Sequence, residues 1–173
     1  MSQPALSPQH LPHATTEPQI RRATADDVPA IRALTRAAYA KWVPVIGREP
    51  MPMAVDYDEA VREHRIDLLF EGDDLVALIE IIDRGDHLLI KNLAVAPEAQ
   101  RRGHGRRLLA HAEALAAELS RPLLRLYTNP RFAGNVDLYA RAGFAVEREE
   151  PFLEGSTVFM SKPVPLERPG LSG

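Results

Sequence analysis

Residues 88–119, LLIKNLAVAPEAQRRGHGRRLLAHAEALAAEL, decide the fold of this chain. Residues 88–95 are a mostly apolar run of strand length, and Pro97 ends it because proline has no N–H to donate to a β-ladder. From Gly105 onward, apolar residues recur at the spacing of one helix face. They are Leu108, Ala112, Leu115 and Leu119. The stretch therefore predicts a strand, a loop rich in arginine and glycine, and a helix.

The junction between this strand and this helix carries a cluster of positive charge. Each arginine there is unfavourable by about 0.3–1 kcal/mol, because the free N–H groups of a helix start already present partial positive charge. A bound anion would reverse those terms, and Gly103 and Gly105 would let the backbone approach it closely. We therefore predict a phosphate or pyrophosphate site, with a solvated basic turn as the alternative. The arginines are Arg101, Arg102, Arg106 and Arg107.

Other well-known site motifs fit the sequence poorly. A P-loop ends in Gly-Lys-Ser/Thr, which the junction lacks, and a Rossmann fingerprint needs Gly or Ala where Leu108 stands. No Gly-x-Ser-x-Gly occurs, so serine hydrolase chemistry is unsupported. The lack of cysteine excludes disulfides, thiolate metal sites and an acyl-cysteine intermediate. No metal-ligand spacing stands out, and we expect no metal.

The junction has a close counterpart in a known family. Gln100–Gly105, QRRGHG, resembles in full the acyl-CoA motif of the GNAT family of N-acetyltransferases, Gln/Arg-x-x-Gly-x-Gly/Ala. Residues 93–97, LAVAP, resemble the end of that family's fourth strand, and the likeness runs from about residue 20 to residue 162. It implies an α/β (α+β) domain with a mixed, mainly antiparallel sheet of six to seven strands flanked by about four helices. It also implies direct transfer of acetyl from acetyl-CoA to an amine.

The resemblance assigns roles to individual residues. Backbone groups near Leu93 and Val95 would hold the pantetheine arm of acetyl-CoA. Asn135 would contact the same arm, and Tyr139, on the same helix face, would protonate the departing thiolate. Read alone, these two residues also fit a first-turn asparagine and a core tyrosine. The cofactor-binding residues of the junction are Gln100, Arg101, Arg102, Gly103, His104, Gly105 and Arg106, with His104 acting through its backbone rather than its ring.

The sequence offers several candidates for the base that takes the proton of the amine. Some family members carry a glutamate on the fourth strand where this chain has Leu89. Glu80 is the best substitute, because a lone carboxylate in an apolar strand is costly unless it faces a cleft. The alternative is that Glu80 is a strand residue facing solvent. The other candidates are His87, Asp56 and Tyr57, whereas His64 and His111 are interpreted as helix-surface residues.

Residues 42–58 are predicted to be a long loop that walls the acceptor pocket, as the matching segment does in the family. Loops longer than about 12–15 residues within a compact domain are commonly functional. The alternative is a loop that packs its own apolar residues against the core. The candidate substrate-binding residues are Trp42, Arg48 and Met53, with Ile46 and Met51 as further wall residues and Glu49 as a second charged group.

These features predict an acetyl-CoA-dependent N-acetyltransferase acting on a primary amine, most simply that of a small molecule. Two alternatives stay open at this point. One is a protein or peptide N-acetyltransferase, and the other is a non-catalytic acyl-CoA-binding sensor or scaffold module. Dimers are common in the family, so a homodimer is a further expectation.

Periodicity and turn signals predict the remaining elements. Thr24 is the expected N-cap of a first helix that ends near residues 39–42, before Pro44. Further helices are expected at 56–65 and 133–142. Strands are expected at 19–23, 67–70, 75–82, 122–127, 144–149 and 157–162.

Composition sets the broad class of the protein. The chain has 173 residues, of which 45% are hydrophobic, and a net charge of −3, which argues against a general nucleic-acid binder. It has no apolar run of the roughly 18–20 residues that a membrane span needs, and no signal-peptide pattern. We therefore expect a cytoplasmic protein without a membrane partner. Its predicted parts are a disordered leader at 1–18, the acetyltransferase domain at 19–162 and a flexible tail at 163–173.

Overall fold

The computed structural model describes residues 17–167, and seven of its strands form one sheet. The strands are β1 (Gln19–Arg22), β2 (Arg65–Glu71), β3 (Asp74–Asp83), β4 (Leu88–Val95), β5 (Leu123–Thr128), β6 (Ala145–Phe152) and β7 (Gly155–Pro163). Their order is β1-β2-β3-β4-β5-β7-β6, and every neighbouring pair is antiparallel except β4 and β5. The predicted mixed, mainly antiparallel sheet is confirmed.

The helices pack on both faces of the sheet. They are α1 (Val28–Tyr39), the four-residue α2 (Val43–Ile46), α3 (Tyr57–Glu63), α4 (His104–Glu118) and α5 (Asn135–Arg141). The side chain of Asn92 on β4 contacts residues of α1 and α3, whereas the side chain of Asp67 on β2 contacts His111 of α4. Ile66 on β2 pairs with Glu80 on β3, which pairs with Asn92 on β4, so the side chains of Ile66 and Asn92 lie on the same face. Asp67 is the residue after Ile66 on β2. Because successive side chains alternate faces, α1 and α3 lie on one face and α4 on the other.

Helix α4 forms for the reason that its sequence pattern indicates. Leu108, Ala112 and Leu115 are buried on the sheet, as predicted. Leu119, the fourth residue of that pattern, is not buried: it lies beyond the end of α4 at Glu118 and is 40% exposed. The parallel pairing of β4 and β5 follows from α4, since a crossover helix brings the chain back to the same end of the sheet.

The two parallel strands separate soon after they pair. Only three residue pairs join them: Leu88 with Leu124, Leu89 with Arg125 and Ile90 with Leu126. The pairing of β3 with β4 shifts at the same level, where Lys91 is the extra residue of a β-bulge. The second half of β4 therefore faces a gap, and its backbone groups on that side have no strand partner in the described chain.

Several predicted boundaries need correction. Helix α3 ends at Glu63 rather than residue 65, because His64 is already extended and leads into β2. Helix α5 begins at Asn135, two residues later than predicted. The segment 42–58 is not wholly irregular, since it contains α2 and a short 3₁₀ turn, Met51–Ala54. Proline at the first turn of each explains these short helices, because its fixed φ suits a helix start.

The chain ends extend partly beyond the described residues. Strand β7 runs to Pro163, and Val164 is buried, with its N–H donating to the carbonyl of Pro122 at 2.9 Å. The predicted leader at 1–18 falls outside the described residues up to position 16, and the predicted tail does so from 168 to 173. Within residues 17–167, no helix has both the length and the apolar character that a membrane crossing requires.

Candidate active site

The gap between β4 and β5 opens into two cavities that meet. The larger has a volume of about 610 Å³ and lies against the end of β4, the start of α4 and α5. The smaller, of about 420 Å³, lies against the first half of the gap, the segment after α2, and β7. Four residues line both cavities: Tyr39, Leu93, Asn135 and Tyr139. A ligand in one cavity can therefore touch a ligand in the other at this boundary.

The larger cavity is bordered by the junction that the sequence singled out. Arg101, with φ of 65°, and Gly103, with φ of 84°, are both left-handed, so the backbone coils tightly before α4 begins at His104. Successive backbone N–H groups in such turns, together with a helix N-terminus, suit an anion. The predicted cofactor residues that line this cavity are Leu93, Val95, Gln100, Arg101, Gly103, His104, Gly105, Arg106 and Asn135.

The two glycines of the motif are needed for different reasons. Gly103 supplies the left-handed backbone, and a Cβ there would meet nothing within 4 Å. A Cβ on Gly105 would lie 3.2 Å from the Cδ2 atom of Leu138, which is tighter than ordinary packing. Gly105 therefore lets α4 and α5 pack closely, in addition to lining the larger cavity.

Substitution of Gly103 is expected to destabilise the protein through backbone strain alone. Gly103→Ala should lower the free energy of unfolding by about 1–2 kcal/mol, because a Cβ is unfavourable in the left-handed region. Gly103→Asn should cost less, since asparagine adopts this region more readily. Urea denaturation of the three proteins measures the difference. Equal stability of the alanine variant and the wild type would contradict the left-handed conformation at this residue.

The positive charges around the larger cavity differ from those predicted. Arg101 and Arg106 line it, but Arg102 does not, because its Nη1 atom lies 3.4 Å from Oε2 of Glu71. Lys41 and Arg141 line it as well, although neither belongs to a recognisable motif. Four cations therefore surround the cavity: Lys41, Arg101, Arg106 and Arg141.

Gln100 and His104 act within the protein as well as lining the cavity. The Nε2 atom of Gln100 donates to the carbonyl of Val95 at 3.2 Å, and its Oε1 atom accepts from Nζ of Lys41 at 2.9 Å. The ring of His104 is buried, with Nε2 2.6 Å from Oε1 of Glu71. The side chain of Gln100 thus holds the loop to β4, and the His104 ring is turned to β2.

The boundary between the cavities is built from two buried tyrosines. The hydroxyl of Tyr39 donates to Oδ1 of Asn92 at 2.8 Å, and burial raises its pKa well above the usual value. Burial raises the pKa of Tyr139 to about 12, so its hydroxyl stays protonated at neutral pH. Asn135, on the same face of α5, also lines both cavities. The predicted pair of Asn135 and Tyr139 is therefore brought together at one place.

The smaller cavity has mostly apolar walls. Only some of the residues predicted to line it do so. Arg48 lines it, and its guanidinium lies 5.6 Å from the ring centre of Phe152. Met53 is buried in the core and lines neither cavity, whereas Met51 is exposed and lines the smaller one, as Ile46 does. Glu49 also lies outside it and pairs with Arg36 at 3.0 Å.

Trp42 lies on the other side of the boundary from its predicted position. It lines the larger cavity and stacks on Phe132, with ring centres 5.1 Å apart, while Phe132 lines the smaller cavity. Lys41 lies 4.9 Å from the centre of the Trp42 ring. The stacked pair thus separates the two cavities, and Trp42 is placed to contact a ligand in the larger one.

Glu80 lies in the smaller cavity as a buried carboxylate. It is 1% exposed, which excludes the alternative of a strand residue facing solvent. Its Oε1 atom lies 2.6 Å from Nδ1 of His64, and its Oε2 atom has no hydrogen-bond partner among residues 17–167. His64 is therefore not an ordinary helix-surface residue. His111 is also bound to a carboxylate, with Nε2 2.7 Å from Oδ2 of Asp67.

The other candidate bases are engaged elsewhere and line neither cavity. His87 lies 2.6 Å from Oδ1 of Asp86, and the side chain of Asp56 caps α3. Tyr57 donates its hydroxyl proton to the carbonyl of Pro52 at 2.7 Å. Of these carboxylates and rings, only Glu80 lines the smaller cavity in the part of the chain that the structure describes.

The sequence missed Tyr39, Lys41, Asn92, Phe132 and Arg141. Asn92 was detectable in principle, because it is a lone polar side chain in an apolar strand and burial of an amide is costly without partners. The others lie on helices or loops with no local signal. Their positions depend on how α1 and α5 pack against β4.

The comparisons with known proteins agree with this geometry. The family model described as the acetyltransferase (GNAT) family matches residues 29–144, more than half of the chain. The chain therefore belongs to the GNAT acetyltransferase family. No curated protein sequence is significantly similar to it.

Solved structures with the same fold are distant in sequence. PaiA N-acetyltransferase of Thermoplasma acidophilum, in complex with coenzyme A, is 17% identical, covers 86% of this chain and 99% of its own, and has a TM-score of 0.74. The ribosomal-protein-S18-alanine N-acetyltransferase of Escherichia coli is 20% identical, with coverages of 90% and 99% and a TM-score of 0.72. A GNAT family acetyltransferase of Elizabethkingia anophelis with acetyl-CoA bound is 18% identical, with coverages of 84% and 97% and a TM-score of 0.65.

Proposed function

We propose that this protein transfers acetyl from acetyl-CoA to the primary amine of a small molecule with an apolar body. The observation that carries the proposal is the meeting of the two cavities at Tyr139 and Leu93. The larger cavity would hold the donor and the smaller one the acceptor. The reacting thioester and amine would then lie at the boundary, where positioning alone supplies much of the rate enhancement.

The donor side is supported by charge and by backbone geometry. The pyrophosphate and phosphate groups of acetyl-CoA would lie at the start of α4, against Arg101 and Arg106 and within reach of Lys41 and Arg141. The pantetheine arm would lie along β4 in the gap left by β5, near Leu93. Two of the structures with this fold contain coenzyme A or acetyl-CoA.

The chemistry follows from the groups at the boundary. Glu80 would take one proton from the acceptor ammonium, so that the neutral amine can attack the thioester carbonyl and form the C–N bond. A free backbone N–H of β4 would stabilise the charge that develops on the carbonyl oxygen. Tyr139 would donate its proton to sulfur as the C–S bond breaks, and would regain a proton from the nitrogen. The products are an amide, the thiol of coenzyme A and one released proton.

The walls of the smaller cavity support an apolar acceptor. Aromatic and aliphatic side chains form most of the surface, and about 420 Å³ suits a small ligand rather than a folded chain. The wall residues include Ile46, Pro50, Met51, Leu126, Phe132, Phe152 and Phe159. Glu80 would be the one anionic group against the ammonium, and Arg48 and Lys91 would suit an acidic group elsewhere on the acceptor.

Binding of acetyl-CoA tests the donor side with a matched pair of variants. Arg106→Gln should weaken acetyl-CoA binding about tenfold, because it removes a cation from the cavity where the phosphates would lie. Arg102→Gln, four residues away on the same junction, should change the affinity less than twofold, because Arg102 points to Glu71. Calorimetric titration at one salt concentration measures both. Equal losses in the two variants would contradict this placement of the phosphates.

Turnover of a panel of amines tests the acceptor. Release of free coenzyme A thiol should be fastest with primary amines that carry an aromatic or branched aliphatic body. Short peptides with free N-terminal alanine, chosen because one similar structure is an alanine N-acetyltransferase for a ribosomal protein, form the comparison set. Faster turnover of peptides would overturn the small-molecule assignment. Tight acetyl-CoA binding without turnover of either set would favour a non-catalytic acyl-CoA-binding module.

A further inference from the structure

Glu80 and His64 form a pair whose geometry goes beyond ordinary packing. Their closest atoms, Oε1 and Nδ1, are 2.6 Å apart, and the side chain of Glu80 is 1% exposed while that of His64 is 20% exposed. An ionised carboxylate only accepts hydrogen bonds, so Nδ1 carries the proton in this contact. The pair thus joins a buried anion at the cavity to a ring that reaches the surface.

The second oxygen of Glu80 is unpartnered in the described chain. A buried polar atom without a hydrogen bond costs about 1–3 kcal/mol, and more when it is charged. Glu80 lines the smaller cavity, so a ligand donor is a natural partner for Oε2. A bound ammonium group would donate a hydrogen bond to Oε2 and so remove this cost.

The position of Glu80 on the sheet places it close to the boundary. It is the cross-strand partner of Asn92, and paired residues of an antiparallel ladder lie side by side on one face. Asn92 in turn accepts a hydrogen bond from Tyr39, which lines both cavities. Glu80 is therefore two side chains away from the boundary where Tyr139 lies.

We infer that His64 is a positioning residue for acetyl transfer, which binds Oε1 of Glu80 and so leaves Oε2 directed at the acceptor ammonium. The inference rests on the proposed function, because Glu80 has this role only if an amine enters the smaller cavity. The ammonium proton moves to Oε2, and the free amine attacks. Glu80 returns this proton to water after the acetylated product leaves.

Three tyrosines near Glu80 keep their protons in the relevant range. Tyr39 on α1, Tyr57 on α3 and Tyr127 on β5 all have a raised pKa, mainly through burial, so they stay neutral near pH 7. Two cationic side chains, Lys91 on β4 and Arg48 after α2, line the same cavity. Loss of the His64 contact would therefore show most directly in the protonation of Glu80.

The test compares two substitutions of His64 in the full-length protein. His64→Ala removes the donor, which makes ionised Glu80 less favourable, so the acidic limb of the kcat/KM profile should move to higher pH by about one unit. Well below the midpoint of that limb, the shift corresponds to a loss of about tenfold. His64→Asn should restore most of the activity, because the amide nitrogen of asparagine occupies the position of Nδ1. The KM for acetyl-CoA should not change in either variant.

His111 provides a matched control on the other face of the sheet. It binds Asp67, which is also 1% exposed and has an unpartnered oxygen, but Asp67 lines neither cavity. His111→Ala should leave the pH profile in place. An unchanged profile in His64→Ala, or an equal loss at every pH without rescue by asparagine, would overturn the inference while the proposed function stands. Failure of the wild type to acetylate any amine would overturn both.

Discussion

Tyr139→Phe is expected to lower kcat by about 100-fold or more, in the range typical of a lost general acid. Burial raises the pKa of Tyr139 to about 12, so the hydroxyl is a proton donor at every pH at which the protein is assayed. Phenylalanine keeps the ring and its contact with Phe144, whose centre is 6.1 Å away. The measurement is the rate of coenzyme A release at saturating amine, with acetyl-CoA affinity measured separately.

The pH dependence tests whether Tyr139 keeps its proton throughout the assay range. Because the pKa of Tyr139 is raised, its proton is present below about pH 12, and the ratio of wild-type to variant rates should stay constant between pH 6 and 9. Tyr57→Phe is the control, since Tyr57 is also a buried tyrosine but lines neither cavity. A Tyr139→Phe variant that turns over at the wild-type rate would rule out this acid.

Glu80→Gln is expected to lower kcat/KM by about 100-fold at pH 7 for an alkyl amine, because no group then accepts the ammonium proton. The deficit should shrink as the pH rises, since a growing fraction of the amine arrives neutral. It should also be much smaller for an aromatic amine, which is already neutral at pH 7. These two trends distinguish the loss of a base from misfolding of the variant, which would lower the rate by the same factor for both amines and at every pH.

The control for Glu80→Gln is Asp67→Asn, which neutralises the other carboxylate that is 1% exposed but lies away from both cavities. Its activity per folded molecule should match the wild type, with folding followed by circular dichroism. If Glu80→Gln loses the same factor for alkyl and aromatic amines at every pH, Glu80 does not act as the base.

Local sequence determined the parts of this protein in which neighbouring residues make one element. The apolar run at residues 88–95 and the helical period after Gly105 predicted β4 and α4, because the length of a strand and the spacing of a helix face follow from backbone geometry alone. The loop from Gln100 to Gly105 was predictable for the same reason, since its left-handed residues and the helix start are consecutive. The family, and the proposed place of the donor, followed from this one stretch.

Tertiary packing decided which side chains face which cavity. Arg102 and Arg106 look equivalent in sequence, but only Arg106 lines the cavity, because Glu71 on β2 binds Arg102. Met53 and Met51 differ in the same way, since the 3₁₀ turn buries one and exposes the other. Such choices depend on strands that are distant in the chain.

The sequence by itself thus determined the order of the elements, the basic loop from Gln100 to Gly105 and the pair Asn135 and Tyr139. Only the tertiary structure joined Glu80 to His64, separated β4 from β5 and made two cavities meet at Tyr39 and Tyr139. The physical reason is that periodicity reports which face of an element is buried, whereas a site depends on which buried faces meet. Which buried faces meet is set by the strand order and by the β-bulge at Lys91.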